Sequence, residues 1–199
     1  MVSIKNYRSL ARNNLRKKAL QIIDAGLRSI NTYDVIKKEV RLSDNTLSVK
    51  NKKFDLRKYK RIIVIGFGKA SSLMGSELES ILGGRIGDGI IISTKEVKLR
   101  RIKLVKGEHP MPSIRNVKAT KKMVHLLKSL NKDDLVLCLI SGGGSALLCY
   151  PNIAFSGYIK RVKKAFKSGI DIAKFNEMRK RLSNVKGGKL AKLTKAKVV

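Results

Sequence analysis

Apolar residues over the first 40 positions recur at the spacing of helices. Those between residues 4 and 30 fall near one side of a predicted helix, and lysine and arginine fill the other side. The apolar members of this helix are Leu10, Leu15, Ala19, Ile22, Ile23, Leu27 and Ile30. A second, shorter helix is predicted over residues 32–40. The polar stretch 42–60 contains the turn signal Asp44-Asn45 and predicts a connection that includes a hairpin.

Short apolar runs bounded by glycine are typical of the chain after residue 60. Residues 61–66 are rich in β-branched side chains and too few for a helix, so they predict a buried strand. Residues 89–93 and 102–106 predict two further strands. Residues 135–140 form the most hydrophobic of these runs and predict a strand in the centre of the sheet.

Helical patterns separate these predicted strands. Residues 69–82 predict one helix, and Ser113 is suited to cap the next, which carries its apolar residues on one side. A further helix over residues 189–195 leads into residues 196–199, which look like the opening of another buried strand. Strands that alternate with helices imply right-handed crossovers and a parallel sheet. The predicted fold class is therefore α/β, in three layers with a mainly parallel sheet.

The chain is strongly basic. It has 199 residues, with 45 lysines and arginines against 14 aspartates and glutamates, and a formal net charge of +31. This surplus predicts attraction to phosphate-rich partners, but it does not distinguish nucleic acid, anionic lipid and nucleotide. The 43% of hydrophobic residues provide material for a core, which argues against wholesale disorder.

The sequence also constrains the environment of the protein. Apolar runs stay well short of the roughly 18 residues that a membrane helix needs, so we expect no integral membrane protein and no membrane partner. The sequence shows no secretory leader, and it contains two cysteines, Cys138 and Cys149. This usage predicts a reducing, cytoplasmic location.

A first glycine-rich turn, Gly66-Phe67-Gly68-Lys69-Ala70-Ser71, lies between a predicted strand and a predicted helix. Glycines let backbone N–H groups approach an anion, and the following helix adds its dipole. The turn does not match a dinucleotide fingerprint, because Ser71 occupies the third glycine position and no acidic residue closes the next strand, which ends at Ser93-Thr94. A Walker A loop is not met either, since too few residues precede Lys69. The alternative is a tight turn with an incidental lysine.

A second glycine-rich turn follows the most hydrophobic strand. It consists of Ser141, Gly142, Gly143, Gly144 and Ser145, which offer a run of N–H donors and two hydroxyls. Such a concave run suits a phosphate or a carboxylate. The alternative is a flexible turn, but flexible linkers do not usually join a core strand to an apolar run. We therefore favour an anion site.

A third polar stretch covers residues 176–188. Asn176 and Arg179 are three residues apart and would share one face of a helix. Lys186-Gly187-Gly188 is predicted to open a further helix with a positive charge at its start, and the alternative is a solvated basic stretch. His109 lies in a proline-rich loop and lacks the partners of a metal site, and neither cysteine has metal-ligand spacing.

Four sequence blocks occur in a fixed order. They are G-F-G-K-A at 66–70, H-P-M-P-S at 109–113, a block at 133–151 that contains S-G-G-G-S-A-L-L, and a block at 176–191 that contains K-G-G-K-L-A. Together these blocks resemble the ATP-dependent glycerate 2-kinase family. The similarity spans roughly the whole chain and is weakest over the first sixty residues.

The resemblance implies a two-domain enzyme that transfers the γ-phosphoryl group of ATP to the 2-hydroxyl of glycerate. It also implies a divalent cation, usually Mg²⁺. The N-terminal domain of the family is Rossmann-like, and its active site faces a smaller C-terminal domain. In this chain we expect residues 1–60 to form a helical N-terminal part of that domain and residues 61–199 to form its parallel core.

The family's site residues are carried over position by position. Lys69 corresponds to the catalytic lysine, and we expect Lys186 and Arg179 to take part in catalysis as well. His109 is a weaker candidate, and no metal ligand is identified. The residues expected to bind anions or substrate are Gly66, Gly68, Ser141, Gly142, Gly143, Gly144, Ser145, Asn176, Gly187 and Gly188.

Two departures from the family bear on function. Members of the family continue beyond residues 196–199 into a second domain, which should carry an acidic metal-binding or base candidate and a catalytic arginine. We therefore expect a chain truncated at its C-terminus, with little kinase activity unless the missing domain is supplied in cis or as a separate subunit. The charge of +31 also exceeds what a kinase of a small acid requires.

Two other functions compete with this interpretation. Proteins of the family have often been called hydroxypyruvate reductases, but the unmatched dinucleotide fingerprint argues against a reductase here. The charge would suit a nucleic-acid-binding protein. Aromatic residues make up only 5% of the chain, however, and it contains no stacking platform, zinc finger or helix-turn-helix pattern. We do not expect specific nucleic-acid binding.

Overall fold

The structure, a computed structural model, describes residues 4–199, and residues 1–3 lie outside the described part. Three helices and a small antiparallel sheet come before the region in which helices and strands alternate. The helices are α1 (Tyr7–Leu10), α2 (Asn14–Ser29), α3 (Thr32–Glu39), α4 (Ser71–Leu82), α5 (Ile114–Lys128), α6 (Gly144–Leu147), α7 (Phe155–Lys167) and α8 (Ile172–Arg181). Short 3-10 turns occupy Leu56–Lys58, Gly83–Arg85 and Ala191–Leu193.

A five-stranded parallel sheet forms the centre of the domain. Its strand order is β6-β5-β4-β7-β8, and every neighbouring pair is parallel. The strands are β4 (Arg61–Phe67), β5 (Ile86–Ser93), β6 (Lys103–Lys106), β7 (Asp134–Ile140) and β8 (Lys197–Val198). The middle position belongs to β4, with the more hydrophobic β7 directly beside it. The four strands and the final short strand expected from the sequence are therefore present.

The side chains of β4 point alternately to the two faces of the sheet, and each face is covered by a helix, which gives three layers. Successive side chains of a strand point to opposite faces of the sheet. Ile62 and Val64 pack in one cluster with Leu78 of α4, whereas the opposite face of the sheet packs in a second cluster against α5. That second cluster contains Ile63, Ile65, Met123 and Leu127. Because helices cover both faces, the inner strands β4, β5 and β7 are mostly buried, and the predicted α/β class with a parallel sheet is confirmed.

A small antiparallel sheet precedes the parallel one. It contains β1 (Val40–Ser43), β2 (Thr46–Val49) and β3 (Lys52–Asp55), in that order. Asp44 has φ of 51° in the first connection, as the turn signal in this polar stretch indicates. Leu47 is fully buried and joins the same cluster as Ile62, so these hairpins extend the core on the α4 side.

The N-terminal segment differs from the single helix expected over residues 4–30. Helix α1 ends at Leu10, and α2 begins after Asn13, whose side chain accepts a hydrogen bond from the Arg16 N–H. A new N-cap therefore interrupts the helix. The apolar side chains of this segment are mostly solvent-exposed: Leu10, Leu15, Ile22, Ile23, Leu27 and Ile30.

The C-terminal third contains two further differences from the sequence prediction. The helix expected over residues 189–195, opened by Lys186-Gly187-Gly188, is wrong. Gly187 and Gly188 have φ of 64° and 81°, which is incompatible with right-handed helix, and only a three-residue 3-10 turn follows. Helices α7 and α8 were not predicted as elements, although α8 carries Asn176 and Arg179 on the helix that their spacing suggested.

Within residues 4–199, helices are too short or too polar to cross a membrane.

Candidate functional site

Two glycine-rich turns meet at the carboxyl edge of the parallel sheet. They follow β4 and β7, which are adjacent strands, so their ends lie side by side. The Lys69 N–H donates to the Gly142 carbonyl over 2.9 Å, and the Ala70 N–H donates to Ser141 Oγ over 3.0 Å. The Ser141 N–H in turn donates to the Phe67 carbonyl over 3.2 Å. The two turns identified from the sequence are thus one hydrogen-bonded unit.

Close approach requires glycine at two positions of this unit. Gly68 has φ of 138°, and a β-carbon there would stand 2.1 Å from Ser141 Oγ. Gly143 has φ of 81° in the left-handed region. Gly142, by contrast, is exposed and has open space where a side chain would be. Gly66 is buried against Ile91 and Leu139 beneath the turn, so it supports the turn from the core side.

His109 and Lys69 flank Gly143 on its open side. A β-carbon built on Gly143 would lie 3.0 Å from His109 Nε2 and 3.1 Å from Lys69 Cγ. Burial lowers the pKa of His109, and the positive charges of Lys69 and Arg179 lower it further. The imidazole is therefore uncharged near neutral pH. The proline-rich loop and the first glycine-rich turn therefore meet at Gly143, and Arg179 of α8 is within electrostatic reach of His109.

The Arg179 guanidinium packs against an aromatic ring of the same helix. Its guanidinium carbon lies 5.2 Å from the centroid of the Phe175 ring, a cation–π geometry. Among the described residues, Arg179 Nε is a buried side-chain atom without a hydrogen-bond partner. Buried donors are normally satisfied. Tyr158, which is fully buried, has its pKa raised by burial, while a hydrogen bond from Arg179 acts in the opposite direction.

Lys186 is the second cationic group of the C-terminal block. Its ammonium group donates a hydrogen bond to the Leu148 carbonyl, which follows the second glycine-rich turn. Burial lowers the pKa of Lys186 to about 8; Cys149 acts against this shift, and the positive charge of Arg179 adds to it. Lys186 and Arg179 therefore lie within electrostatic reach of one another, without a carboxylate between them that affects the pKa of Lys186.

A cleft of about 640 Å³ opens beside the glycine-rich unit. Its apolar floor includes Ile65, Phe67 and Leu148. The predicted site residues that line this cleft are Gly144, Ser145, Asn176, Lys186, Gly187 and Gly188. Lys69 and His109 lie beside Gly143 instead, and Arg179 is within electrostatic reach of both His109 and Lys186.

Sequence reasoning missed two residues that support this arrangement. Tyr158 belongs to α7, a helix that was not predicted, so its burial beside Arg179 had no signal in the sequence. Asn116 is fully buried, and its side chain contacts both the His109 loop and α6. Its spacing of three residues from the capping Ser113 was a signal that could have found it.

The side chains present suit anions and do not suit a metal ion. In the part of the chain that the structure describes, His, Cys, Asp and Glu side chains do not form a group of three or more that could hold a metal. Mg²⁺ requires oxygen ligands, chiefly carboxylates and phosphates. Backbone amides with two lysines and an arginine instead match a phosphate or a carboxylate.

Comparison with known proteins places this geometry in a wider group. A family model described as "Domain of unknown function (DUF4147)" matches residues 18–199. A glycerate 2-kinase from Pyrococcus horikoshii is 32% identical over 186 residues, which cover 92% of this chain and 41% of that protein. A putative hydroxypyruvate reductase from Agrobacterium vitis is 37% identical over 137 residues, which cover 67% of this chain and 36% of that protein.

A solved structure is similar in fold as well as in sequence. The crystal structure of a glycerate kinase from Thermotoga maritima matches with a TM-score of 0.76 at 29% identity, covering 92% of this chain and 42% of that chain. The chain therefore spans less than half the length of the curated relatives and of the solved structure that it matches.

Proposed function

Since the chain belongs to the glycerate 2-kinase family, we propose that it supplies the anion-binding half of an enzyme that phosphorylates glycerate. The donor is ATP, and the acceptor is the 2-hydroxyl of glycerate. One observation carries this proposal: cationic side chains and an imidazole lie at or near the two joined glycine-rich turns. Lys69 and His109 lie beside Gly143, Lys186 lines the cleft together with Gly144, and Arg179 is within electrostatic reach of His109 and Lys186.

Phosphoryl transfer needs positioning and charge neutralisation more than covalent chemistry. The amides of Gly142, Gly143 and Gly144 are suited to hold a phosphate or the glycerate carboxylate. Lys69, beside Gly143, and Lys186, which lines the cleft together with Gly144, are suited to supply positive charge. The buried, unpartnered Nε of Arg179 supports an anion ligand, because such a ligand would complete its hydrogen bonding.

The transfer also releases a proton. The glycerate hydroxyl oxygen bonds to the γ-phosphorus, the bond to the bridging oxygen breaks, and ADP leaves with that oxygen. We assign acceptance of the hydroxyl proton to His109, which is uncharged near neutral pH because its pKa is lowered. Since the described residues do not suit Mg²⁺, no step is assigned here to a metal ion.

The remaining machinery lies, in this proposal, in a second domain. The relatives are more than twice as long as the matched region, which supports a partner domain in cis or as a separate subunit. That domain would supply the carboxylate ligands for Mg²⁺ and a further arginine. Both cysteines of the chain are free thiols, which supports a reducing, cytoplasmic location.

The proposal is tested by an enzyme-linked ADP-release assay with ATP, Mg²⁺ and glycerate. We expect little turnover from the 199-residue chain and clear glycerate-dependent turnover when it is joined to, or mixed with, the second domain of a relative. A phosphate-binding titration of the chain alone checks its own contribution. Turnover at a normal rate by the isolated chain would contradict the proposal that a second domain is needed. ADP release that does not depend on added glycerate would contradict glycerate as the acceptor.

Hydroxypyruvate reduction is the second candidate, because a relative carries that name. It requires a nicotinamide cofactor. The first turn has Ser71 where a dinucleotide fingerprint has glycine, and Ser71 is buried under the turn, with its hydroxyl donating to the Gly68 carbonyl. We therefore expect no oxidation of NADH with hydroxypyruvate under conditions in which ADP release is measurable.

A further inference from the structure

A buried asparagine joins the loop that carries His109 to the second glycine-rich turn. Asn116 lies in the first turn of α5 and is fully buried. We infer that Asn116 is a positioning residue, which sets His109 against Gly143 and Lys69 and so fixes the geometry of the anion site. This inference deepens the proposed function and rests on it for the chemical role of His109.

The Asn116 amide fixes the backbone directly before His109. Asn116 Oδ1 accepts from the Glu108 N–H over 2.9 Å, and Asn116 Nδ2 donates to the Glu108 carbonyl over 2.9 Å. The Glu108 carbonyl belongs to the peptide group that joins Glu108 to His109. Both backbone groups of Glu108 are therefore held by one side chain, which leaves the following residue little freedom of orientation.

The same amide reaches the glycine-rich turn. Asn116 Nδ2 also donates to the Ala146 carbonyl over 3.1 Å, within the short helix α6 that starts at Gly144. The two segments that this bond joins also pack closely. Gly107, which precedes Glu108, lies so near α6 that a β-carbon on it would stand 2.7 Å from Leu147 Cδ2. One side chain thus spans the His109 loop and the segment that continues from Gly143.

The orientation of the amide follows from its partners. Oδ1 faces N–H donors of Glu108 and Ser113 together with the Ser113 hydroxyl, whereas Nδ2 faces two carbonyl oxygens. A flipped amide would oppose every backbone partner. The bonds to Ser113 are those of a helix cap, but the bonds to Glu108 and Ala146 reach two other segments. Helix capping alone does not account for them.

His109 reports on this arrangement directly. Its pKa is lowered by burial and by Lys69 and Arg179, so its titration depends on where the loop holds the ring. The chain contains two histidines, and the other, His125, is exposed on α5. NMR titration of the two imidazole signals therefore gives a probe and an internal reference in one sample.

The test compares Asn116→Ala and Asn116→Val with the control Thr120→Val in the full chain. Thr120 lies one helical turn further along α5, is equally buried, and accepts from the Cys149 N–H over 3.0 Å. The Thr120→Val change removes a buried hydrogen bond between α5 and the segment just after α6, and it leaves the bonds to Glu108 in place. We expect both Asn116 variants to raise the pKa of His109 towards the ordinary imidazole value, while His109 in Thr120→Val titrates as in the wild type.

Binding of inorganic phosphate gives a second readout. We expect the affinity to fall about fivefold in the Asn116 variants, as loss of one hydrogen-bonded contact predicts, and to be retained in Thr120→Val. Folded Asn116 variants in which His109 titrates as in the wild type would overturn the inference, as would an equal shift in Thr120→Val. If phosphate, glycerate and ATP all leave the wild-type His109 signal unchanged, the proposed function fails, whereas the titration still decides the role of Asn116.

Hydrogen exchange in the wild type provides a check that needs no variant. The Glu108 amide should be protected from exchange well above the level of an open loop, because it donates to Oδ1 of the fully buried Asn116. Exchange of this amide at the rate of an open loop would contradict the inference even if both Asn116 variants failed to fold.

Discussion

Gly68 and Ser141 approach so closely that no side chain fits between them. A β-carbon on Gly68 would lie 2.1 Å from Ser141 Oγ and 2.6 Å from the Ser141 carbonyl oxygen. The Ser141 hydroxyl also accepts from the Ala70 N–H over 3.0 Å, just before α4 begins. This contact joins the ends of β4 and β7, so it decides whether the two glycine-rich turns act as one site.

Gly68→Ala should therefore separate the two turns. The backbone of Gly68 has φ of 138°, which alanine rarely adopts, and its new methyl group would meet backbone atoms of Ser141. We expect a loss of about 2–3 kcal/mol of unfolding free energy, measured by urea denaturation, together with weaker phosphate binding. The matched control is Gly142→Ala, where a side chain meets open space and stability should change little. Equal losses in both variants would contradict this account.

Arg61 and Asp134 form an ion pair at the opposite edge of the sheet. Asp134 accepts from Arg61 Nε over 2.9 Å and from Arg61 Nη2 over 2.8 Å, and the pair joins the starts of β4 and β7. Asp134 is buried, but the arginine side chain is 45% exposed, so solvent weakens the attraction. Arg61→Ala should cost about 1–2 kcal/mol at neutral pH, measured by urea denaturation. Arg57→Ala, which breaks an exposed pair, should cause no measurable change.

The Arg61 effect should depend on pH in a defined direction. The Arg61 hydrogen bond lowers the pKa of Asp134 below its ordinary value of 3.8, so the ionised form is stabilised in the fold. The resulting stability is complete above that ordinary value and is lost as the pH falls through the lower folded pKa. The difference between wild type and Arg61→Ala should shrink over this acid range. A difference that stays constant down to the acid transition would argue against the ion pair.

Lys186 should make the wild type more stable as the pH rises. Burial lowers the pKa of Lys186 from 10.5 to about 8, so between these values the unfolded chain binds a proton that the folded chain does not. Stability attributable to Lys186 should therefore increase from about pH 8 to pH 10.5, by at most about 1.4 kcal/mol per pH unit. The measurement is the difference in unfolding free energy between wild type and Lys186→Met. The nearby exposed Lys189→Met serves as the control and should retain the wild-type slope.

Lys69→Gln should weaken anion binding without unfolding the chain. Lys69 is exposed, and its side chain passes over Gly143 on the open side of the turn. We expect about tenfold weaker binding of phosphate and ATP by isothermal titration at fixed ionic strength, with an unchanged denaturation midpoint. Lys132→Gln, which removes the same charge just before β7 at the opposite sheet edge, controls for net charge. Equal weakening by both variants would indicate general attraction to the +31 chain.

The spacing of apolar residues and glycines along the sequence was sufficient to predict the parallel core and the two glycine-rich turns. Short β-branched runs such as residues 61–66 cannot form helices of useful length, and glycine marks where each run ends. The carboxyl ends of parallel strands share one edge, so the order of strands and turns along the sequence is enough to place residues 66–71 and 141–145 at the same edge. The blocks that resemble glycerate 2-kinases then suggested which side chains face that edge.

Local pattern failed where distant contacts decide conformation. Gly187 and Gly188 adopt positive φ directly after Lys186, whose ammonium group donates to the distant Leu148 carbonyl, and the expected helix does not form. The apolar side of α2 matches a core-facing helix, yet most of its large side chains are exposed in the described part of the chain. The spacing of apolar residues predicts that a helix has an apolar face, but it does not predict what that face contacts.

Local sequence specifies the strands and turns: which apolar runs are buried, where glycine permits close approach, and which cationic side chains are available. Which of these groups meet depends on the tertiary structure. Gly68 lies against Ser141, His109 lies beside Gly143, and Asn116 joins Glu108 to Ala146. Most of these partners lie far apart along the chain, as Asn116 and Ala146 do at 30 residues. Their proximity follows from strand order and helix packing, which no local pattern encodes.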